Sequence, residues 1–303
     1  MMRLIKARLL KYFNSPFLLI ALLCCFISGT IQGIHMFRSI KTLLEIEPDA
    51  AMLSSFMSDD FFKIVSWVVI VLVSLDTGRE FSDGTIRNKM YIGHSKTAVY
   101  FSEMISGSVI AVIAYISFML PVLIGGNYFF LTLSPINCFL LLLELLLFFL
   151  VWCFFSVTVT MLIANRAFGV VTAFSVMLFF AVANSNLRGY YYNTEPSQIT
   201  ATMIELSEDG EPYQVEKMIQ NHWYIEGIPK VLVNIEHEVD PFSRSYDVCI
   251  YSCIHNQEKA DAEDLEWQSV QDRQVKYDSL VLLVTSLILI LGGCVLFRKK
   301  DLK

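Results

Sequence analysis

The chain has 303 residues and a net charge of −6, and it is 55% hydrophobic but only 17% charged. Soluble domains carry about 25% charged residues, so this composition excludes an ordinary water-soluble fold. No basic stripe with interleaved aromatics runs through it, which excludes the usual nucleic-acid binder.

The segment from Met1 to Asn14 carries Arg3, Lys6, Arg8 and Lys11 and no acid. Its apolar residues recur at Leu4, Leu9, Leu10 and Phe13, which predicts an amphipathic helix lying on the inner membrane face. Six apolar stretches follow: Pro16–Phe37, Asp60–Leu75, Ala98–Ile124, Ile136–Ala164, Phe168–Asn186 and Ser279–Phe297. A bilayer core of about 30 Å needs roughly 20 apolar residues in a helix. The second stretch is the weakest, with Lys63 near one end. The expected fold class is an all-α polytopic membrane protein. It has an N-terminal amphipathic helix, six transmembrane helices and a small extracytoplasmic α/β insert before the last span. In residues, these are 1–14 for the interfacial helix and 15–184 for spans one to five, with a cytoplasmic loop at 78–97. The external domain covers 185–277, and the last span with its basic tail covers 278–303.

Lys and Arg near span ends mark the cytoplasmic side. Six spans place four segments on one side. These hold the bases of Met1–Asn14, then Arg79, Arg87, Lys89 and Lys96, then Arg166, then Arg298, Lys299, Lys300 and Lys303. Both termini are therefore expected in the cytoplasm, in a multi-pass protein of the cell membrane. The opposite side holds Glu45, Glu47, Asp49 and Asp59. It also holds the stretch Ser185–Asp278, with 18 acids and 7 bases. That external stretch predicts a hairpin over "IELSEDGEPY", with Asp209-Gly210 in the turn. It also predicts a helix over "PKVLVNIEHEVDP", whose Val231, Leu232, Ile235 and Val239 share one face.

Few side chains carry chemistry. Cys249 and Cys253 stand i, i+4 in "CIYSC"; the spacing leaves a disulfide and two free thiols both open. His222, His237 and His255 show no metal-ligand spacing and are expected as surface histidines. "IEHEVD" has the start of a zincin helix without its second His. No metal site and no catalytic residue is expected. Glu144 and Gln32 are candidate intramembrane polar residues, because an ionisable group inside an apolar helix is a functional hypothesis. Ser156, Thr158 and Thr160 could line an interface or a path. Gly29 and Gly33 share a face at a spacing that lets helices approach closely, as in dimers.

The loop "GREFSDGTIRNKMYIGHSKTAVY" is the most polar short segment between spans. It lacks the Lys-Ser/Thr that a phosphate-binding loop needs after its last Gly. Asp83-Gly84 is expected to break the preceding helix, and Gly93 and Ser95 to separate a short helix at Thr85–Ile92 from the next span. Ile86, Met90 and Tyr91 would give that helix an exposed apolar face suited to a partner's groove.

The run "REFSDGTIRNKMYIGHSKTAVYFSEMI" resembles the signature loop of type-two ATP-binding-cassette exporter permeases. The matching residues are Glu80, Ser82, Gly84, Thr85, Ile86, Arg87, Asn88, Lys89, Gly93, Ser95, Lys96 and Tyr100. The tail "FRKKDLK" is similar as well, and "NHWYIEG" is similar to an element of some relatives, with His222 in place of Pro. The resemblance implies that the loop is a coupling helix docking on a separate ATPase subunit. The coupling residues would be Glu80, Gly84, Thr85, Ile86, Arg87, Lys89, Met90 and Tyr91, with "NRAFG" as a second contact. ATP and Mg would be bound by that partner and no cofactor by this chain. A second permease copy, identical or not, and the lipid bilayer complete the expected partners. A different reading is a membrane-anchored sensor or binding module whose acidic external domain captures a peptide or cation.

Overall fold

In the computed structural model, the described residues are 2–43, 60–126, 135–192, 197–206, 212–220, 224–241, 243 and 264–300. The expected Asp209-Gly210 turn, His222, His255, Cys249 and Cys253 lie outside them. The elements in chain order are helices α1 (Met2–Phe13), α2 (Pro16–Leu43), α3 (Asp60–Ser82), α4 (Thr85–Tyr91), α5 (Lys96–Gly125), α6 (Pro135–Ile163) and α7 (Arg166–Tyr192). Strands β1 (Ser197–Leu206) and β2 (Pro212–Gln220) follow, then helices α8 (Ile228–Val239) and α9 (Asp264–Lys299). The chain divides into two compact units: Met1–Phe179 with Arg244–Lys303, and Phe180–Ser243.

Among the described residues, five helical segments are long and apolar enough to cross a membrane. They are Pro16–Arg38, Lys96–Gly125, Leu141–Ile163, Arg166–Leu187 and Ser279–Lys299. This is the character of a multi-pass membrane protein. Helix α3 is not among these five, and its apolar middle lies between Lys63 and Asp76. That middle is nonetheless packed: Val65, Val69, Ile70, Leu72 and Val73 are all buried.

Pairwise contacts fix the helix directions in the first unit. Ser117 donates a hydrogen bond to the Leu22 carbonyl at 3.0 Å, while Gly33 lies against Pro121 and Gly125. Contacts advance together along both helices, so α2 and α5 run parallel. Gly29 and Gly33 do allow close approach, but within the chain. A Cβ on Gly33 would stand 2.6 Å from the Pro121 carbonyl oxygen, and one on Gly29 would strike the Phe118 carbonyl. The sequence pattern was open to a dimer contact; the fold uses it to seat α2 on α5.

Tyr115 of α5 donates to the Leu142 carbonyl of α6 at 2.7 Å, and Gly107 faces Cys153 and Val157, so α5 and α6 are antiparallel. Helix α9 runs parallel to α6, meeting it at Ser279–Glu144 and again at Leu289–Thr158. The start of α5 therefore meets the end of α9, where Lys96 donates to the carbonyls of Arg298 (3.2 Å) and Lys300 (2.5 Å). Lys300 in turn donates to the Leu162 carbonyl at the end of α6. Cations at helix C-termini offset the negative end of the helix dipole. One end of the bundle thus gathers the starts of α2, α5 and α7 and the ends of α3, α6 and α9.

The second unit holds the end of α7, the hairpin and α8. Strands β1 and β2 pair antiparallel from Ser197↔Gln220 to Leu206↔Pro212, with an irregularity between Gln198 and Ala201. Helix α8 starts after Gly227 with Pro229 in its first turn, where Pro leaves no needed donor unpaired. Lys230 donates to the Tyr190 and Tyr191 carbonyls at 2.6 and 2.9 Å, capping the end of α7.

Candidate functional site

The densest polar site in the first unit is a buried ionic cluster beside α4. It begins with spacing. Leu4, Arg8 and Tyr12 stand four apart on α1 and share one face, and all three are buried. Asp76 and Glu80 stand four apart on α3. Glu103 lies two turns into α5, where its side chain is fully covered. Lys89 comes from α4.

Arg8 joins these elements. Its guanidinium reaches Asp76 at 2.7 Å, Glu80 at 2.7 Å and Glu103 at 2.6 Å. The two terminal nitrogens of a planar guanidinium spread its charge over carboxylates from two different helices. The same cation stands 4.8 Å from the centre of the Tyr12 ring. Lys89 bridges Glu80 at 2.8 Å and Glu103 at 3.1 Å, and Lys11 reaches Glu80 at 2.5 Å.

Three cations thus face three carboxylates. Burying an ion costs several kcal/mol unless it is paired and hydrogen-bonded. Here each carboxylate has a cation within salt-bridge distance, and Glu80 has three. Burial alone would push the Glu80 carboxyl up. Arg8 and the bonds from Lys11 and Lys89 outweigh it and hold the carboxyl down at about 2. For Arg8, burial opposes the charge, but Glu103 and the neighbouring carboxylates raise it above the usual guanidinium range. Tyr12 is pushed up, chiefly by burial, and stays neutral.

Helix α4 sits on this cluster between two glycines. Gly84 has φ +68°, a left-handed conformation that ends α3 and that only Gly adopts without strain. Gly93, at φ +98°, closes the other side, and Ser95 accepts a bond from the Ala98 amide to start α5.

The placement corrects one expectation for the loop. Ile86 does not belong to an exposed face: it is 1% exposed. One turn of helix leaves it no choice, because the face carrying Ile86 also carries Lys89 and is drawn inward by Glu80 and Glu103. Glu80 is likewise buried and bonds to Arg8, Lys11 and Lys89. Met90 is half-buried, Arg87 is exposed, and Thr85 is half-buried. The apolar residues that do project are Tyr91, 87% exposed, and its neighbour Ile92.

Other sequence candidates are placed elsewhere. Gln32 is buried on α2. Glu144 is buried on α6, where it accepts a 2.7 Å hydrogen bond from Ser279 of α9. Ser156 lies 2.5 Å from Ser74 of α3, and the Thr158 hydroxyl lies 2.9 Å from that of Tyr100. These serines and threonines join helices to one another, and Thr160 is buried near Gly169. His237 is not a surface histidine. It is buried and stacked on Tyr191 with ring centres 3.4 Å apart. Among the described residues, no group of three His, Cys, Asp or Glu could hold a metal ion.

Sequence reasoning missed Arg8, Lys11, Asp76 and Glu103 as site residues. The available signal was the isolated acid Glu103 inside an otherwise apolar span, with Arg8 on the same face as Leu4 and Tyr12. No family model matches the chain, and no curated protein matches it.

Proposed function

We propose that the chain is the transmembrane subunit of an ATP-driven exporter, moved by a separate ATP-binding-cassette ATPase that docks on α4. The observation that carries this reading is the ionic cluster. It ties a short helix with an exposed apolar tip to three longer helices, so a push on Tyr91 and Ile92 is delivered to α1, α3 and α5 together. The residue resemblance of the loop supplies the identity of the partner.

The parallel run of α2 and α5 supports six crossings. Two successive spans that point the same way need a return between them, and α3 is the helix available. Asp76 and Glu80, at the end of that helix, are answered by the cluster. The bundle end that gathers Arg8, Lys89, Lys96, Arg166, Arg298 and Lys299 is then the cytoplasmic one. Two such chains pair with two ATPases, which bind ATP and Mg. Closure of the ATPases shifts α4, and the cluster passes the shift to the spans.

Affinity purification of the full chain from its native membranes tests this. An ATP-binding-cassette ATPase should co-purify, and its hydrolysis should respond to the chain. Loss of that ATPase with Tyr91→Ala/Ile92→Ala is expected, with the variant itself still folded. Purification without any ATPase, or undiminished association of the double variant, would overturn the docking assignment.

A further inference from the structure

The missing side chain of Gly78 brings two arginines together. A Cβ on Gly78, near the end of α3, would stand 2.6 Å from the Cα of Arg166. The first residue of α7 is therefore seated against the backbone just before Arg79. Both arginines line one partly open cleft of about 390 Å³, together with Phe17 of α2 and Leu72, Leu75 and Asp76 of α3.

The charge in this cleft is unbalanced. Asp76 is the one carboxylate lining it among the described residues, and it is already held by Arg8 at 2.7 Å. Arg79 reaches Asp83 at 3.4 Å, a half-exposed pair of the kind that contributes little. Arg166 is exposed and has no carboxylate within salt-bridge distance among the described residues. Two guanidiniums so placed favour an anion between them, and each presents the fork that fits a phosphate.

The cleft also changes character with depth. Leu75 and Leu72 precede Arg79 by four and seven residues on α3, which sets them about 6 and 10 Å deeper in the bundle. Phe17, 58% exposed, stands in the first turn of α2. Segments able to cross a membrane begin at Pro16 and at Arg166. The arginines thus stand where two such segments enter the apolar layer, and the leucines lie below them. A free phosphate would use only the charged rim. A phospholipid would use the rim and the apolar wall together.

We infer that this cleft binds an anionic glycerophospholipid, with Arg79 and Arg166 on its phosphate and Phe17, Leu75 and Leu72 along the start of one acyl chain. Its positive charge selects against a zwitterionic lipid, whose own cation is repelled by the same arginines. The bound phosphate joins the end of α3 to the start of α7. This inference does not depend on the exporter reading, since it requires only that α2 and α7 cross a membrane.

The test is lipid binding by the full chain, purified in a mild non-ionic detergent, freed of lipid and measured by native mass spectrometry. Phosphatidylglycerol should bind about tenfold more tightly than phosphatidylcholine of the same chain length. Arg79→Gln/Arg166→Gln should abolish that preference, and Phe17→Ala should weaken phosphatidylglycerol binding. Arg3→Gln/Lys6→Gln, which removes two exposed cations of α1, should leave both intact. Equal binding of the two lipids would overturn the inference, as would a preference that survives in the Arg79/Arg166 variant. An equal loss in the Arg3/Lys6 variant would show a diffuse surface charge and overturn it too. Displacement of phosphatidylglycerol by glycerol phosphate at similar concentration would make the cleft a free-phosphate site and sink the lipid assignment. If the double variant melts below its parent, Arg166→Gln alone gives the same readout from an arginine that pairs with no acid among the described residues.

Discussion

The Arg8 guanidinium stands 2.6 Å from the Glu103 carboxylate, joining a helix that precedes the first apolar span to the opening turns of a later one. Both side chains are essentially covered. Neither could be buried alone, so each is the reason the other is tolerated there.

Removing Arg8 should therefore be costly. Arg8→Met keeps the apolar stem but leaves Asp76, Glu80 and Glu103 clustered with only Lys11 and Lys89 to answer them. Breaking a buried pair from one side costs about 3–5 kcal/mol. Thermal unfolding in detergent should show a large fall in midpoint. Arg8→Lys should recover only part of it, because an ammonium puts its charge at one nitrogen where the guanidinium sets two against these carboxylates. A midpoint like the parent's for Arg8→Met would show that the cluster contributes nothing.

The same cluster sets a pH dependence. Glu80 is held down at about 2, well below the carboxylate range of an unfolded chain. A lowered folded pKa means the contribution is present above the unfolded value and is lost as pH falls through the folded one. Stability should be flat from neutral pH to about 5 and should decline from about 4 toward 2. Glu80→Gln should lower the plateau and flatten the acid limb. Tyr12 works at the other extreme. Its raised pKa favours the neutral form in the fold, so stability should fall as pH rises past about 10, where the unfolded Tyr ionises. Tyr12→Phe should remove that alkaline decline. Unfolding midpoints measured across the pH range check both limbs.

Much of this architecture was legible before any coordinates. Runs such as Leu141–Ile163 can only be buried in apolar surroundings, and the Asp83-Gly84 break follows from backbone freedom alone. What pattern could not reach was partnership across the chain. Arg8 and Glu103 each read as an ordinary charge near a span, because their meeting depends on how α1 folds back on α5. Ile86 was misplaced for the same reason. A seven-residue helix has two faces, and only the inward pull on Lys89 decides which is hidden. On α8 the apolar stripe was visible, but not that it turns outward.

The glycine seam between α2 and α5 gives a steric prediction. A methyl on Gly33 would meet the Pro121 carbonyl at 2.6 Å, and one on Gly29 would meet backbone as well. Backbone cannot swing aside as a side-chain tip can, so the helices must separate. Gly33→Val should cost about 1–3 kcal/mol or more through overpacking. An outward residue of α2, such as Ile27→Val, should be nearly silent. The thermal midpoints of the two variants separate a packed seam from a merely exposed one.

The loop helix offers the sharpest separation of folding from docking. Ile86 is covered and Tyr91 and Ile92 project, although all three lie within seven residues. Ile86→Ala leaves a cavity and should cost about 2–5 kcal/mol, with any loss of ATPase association following from the weakened fold. Tyr91→Ala and Ile92→Ala remove exposed atoms and should change stability by no more than about 0.5 kcal/mol. If the ATPase docks on this tip, those same two substitutions should release it. Stability and co-purification measured on the three variants therefore move in opposite patterns. A tip that tolerates both substitutions while the partner stays bound would place the docking surface elsewhere on that end of the bundle.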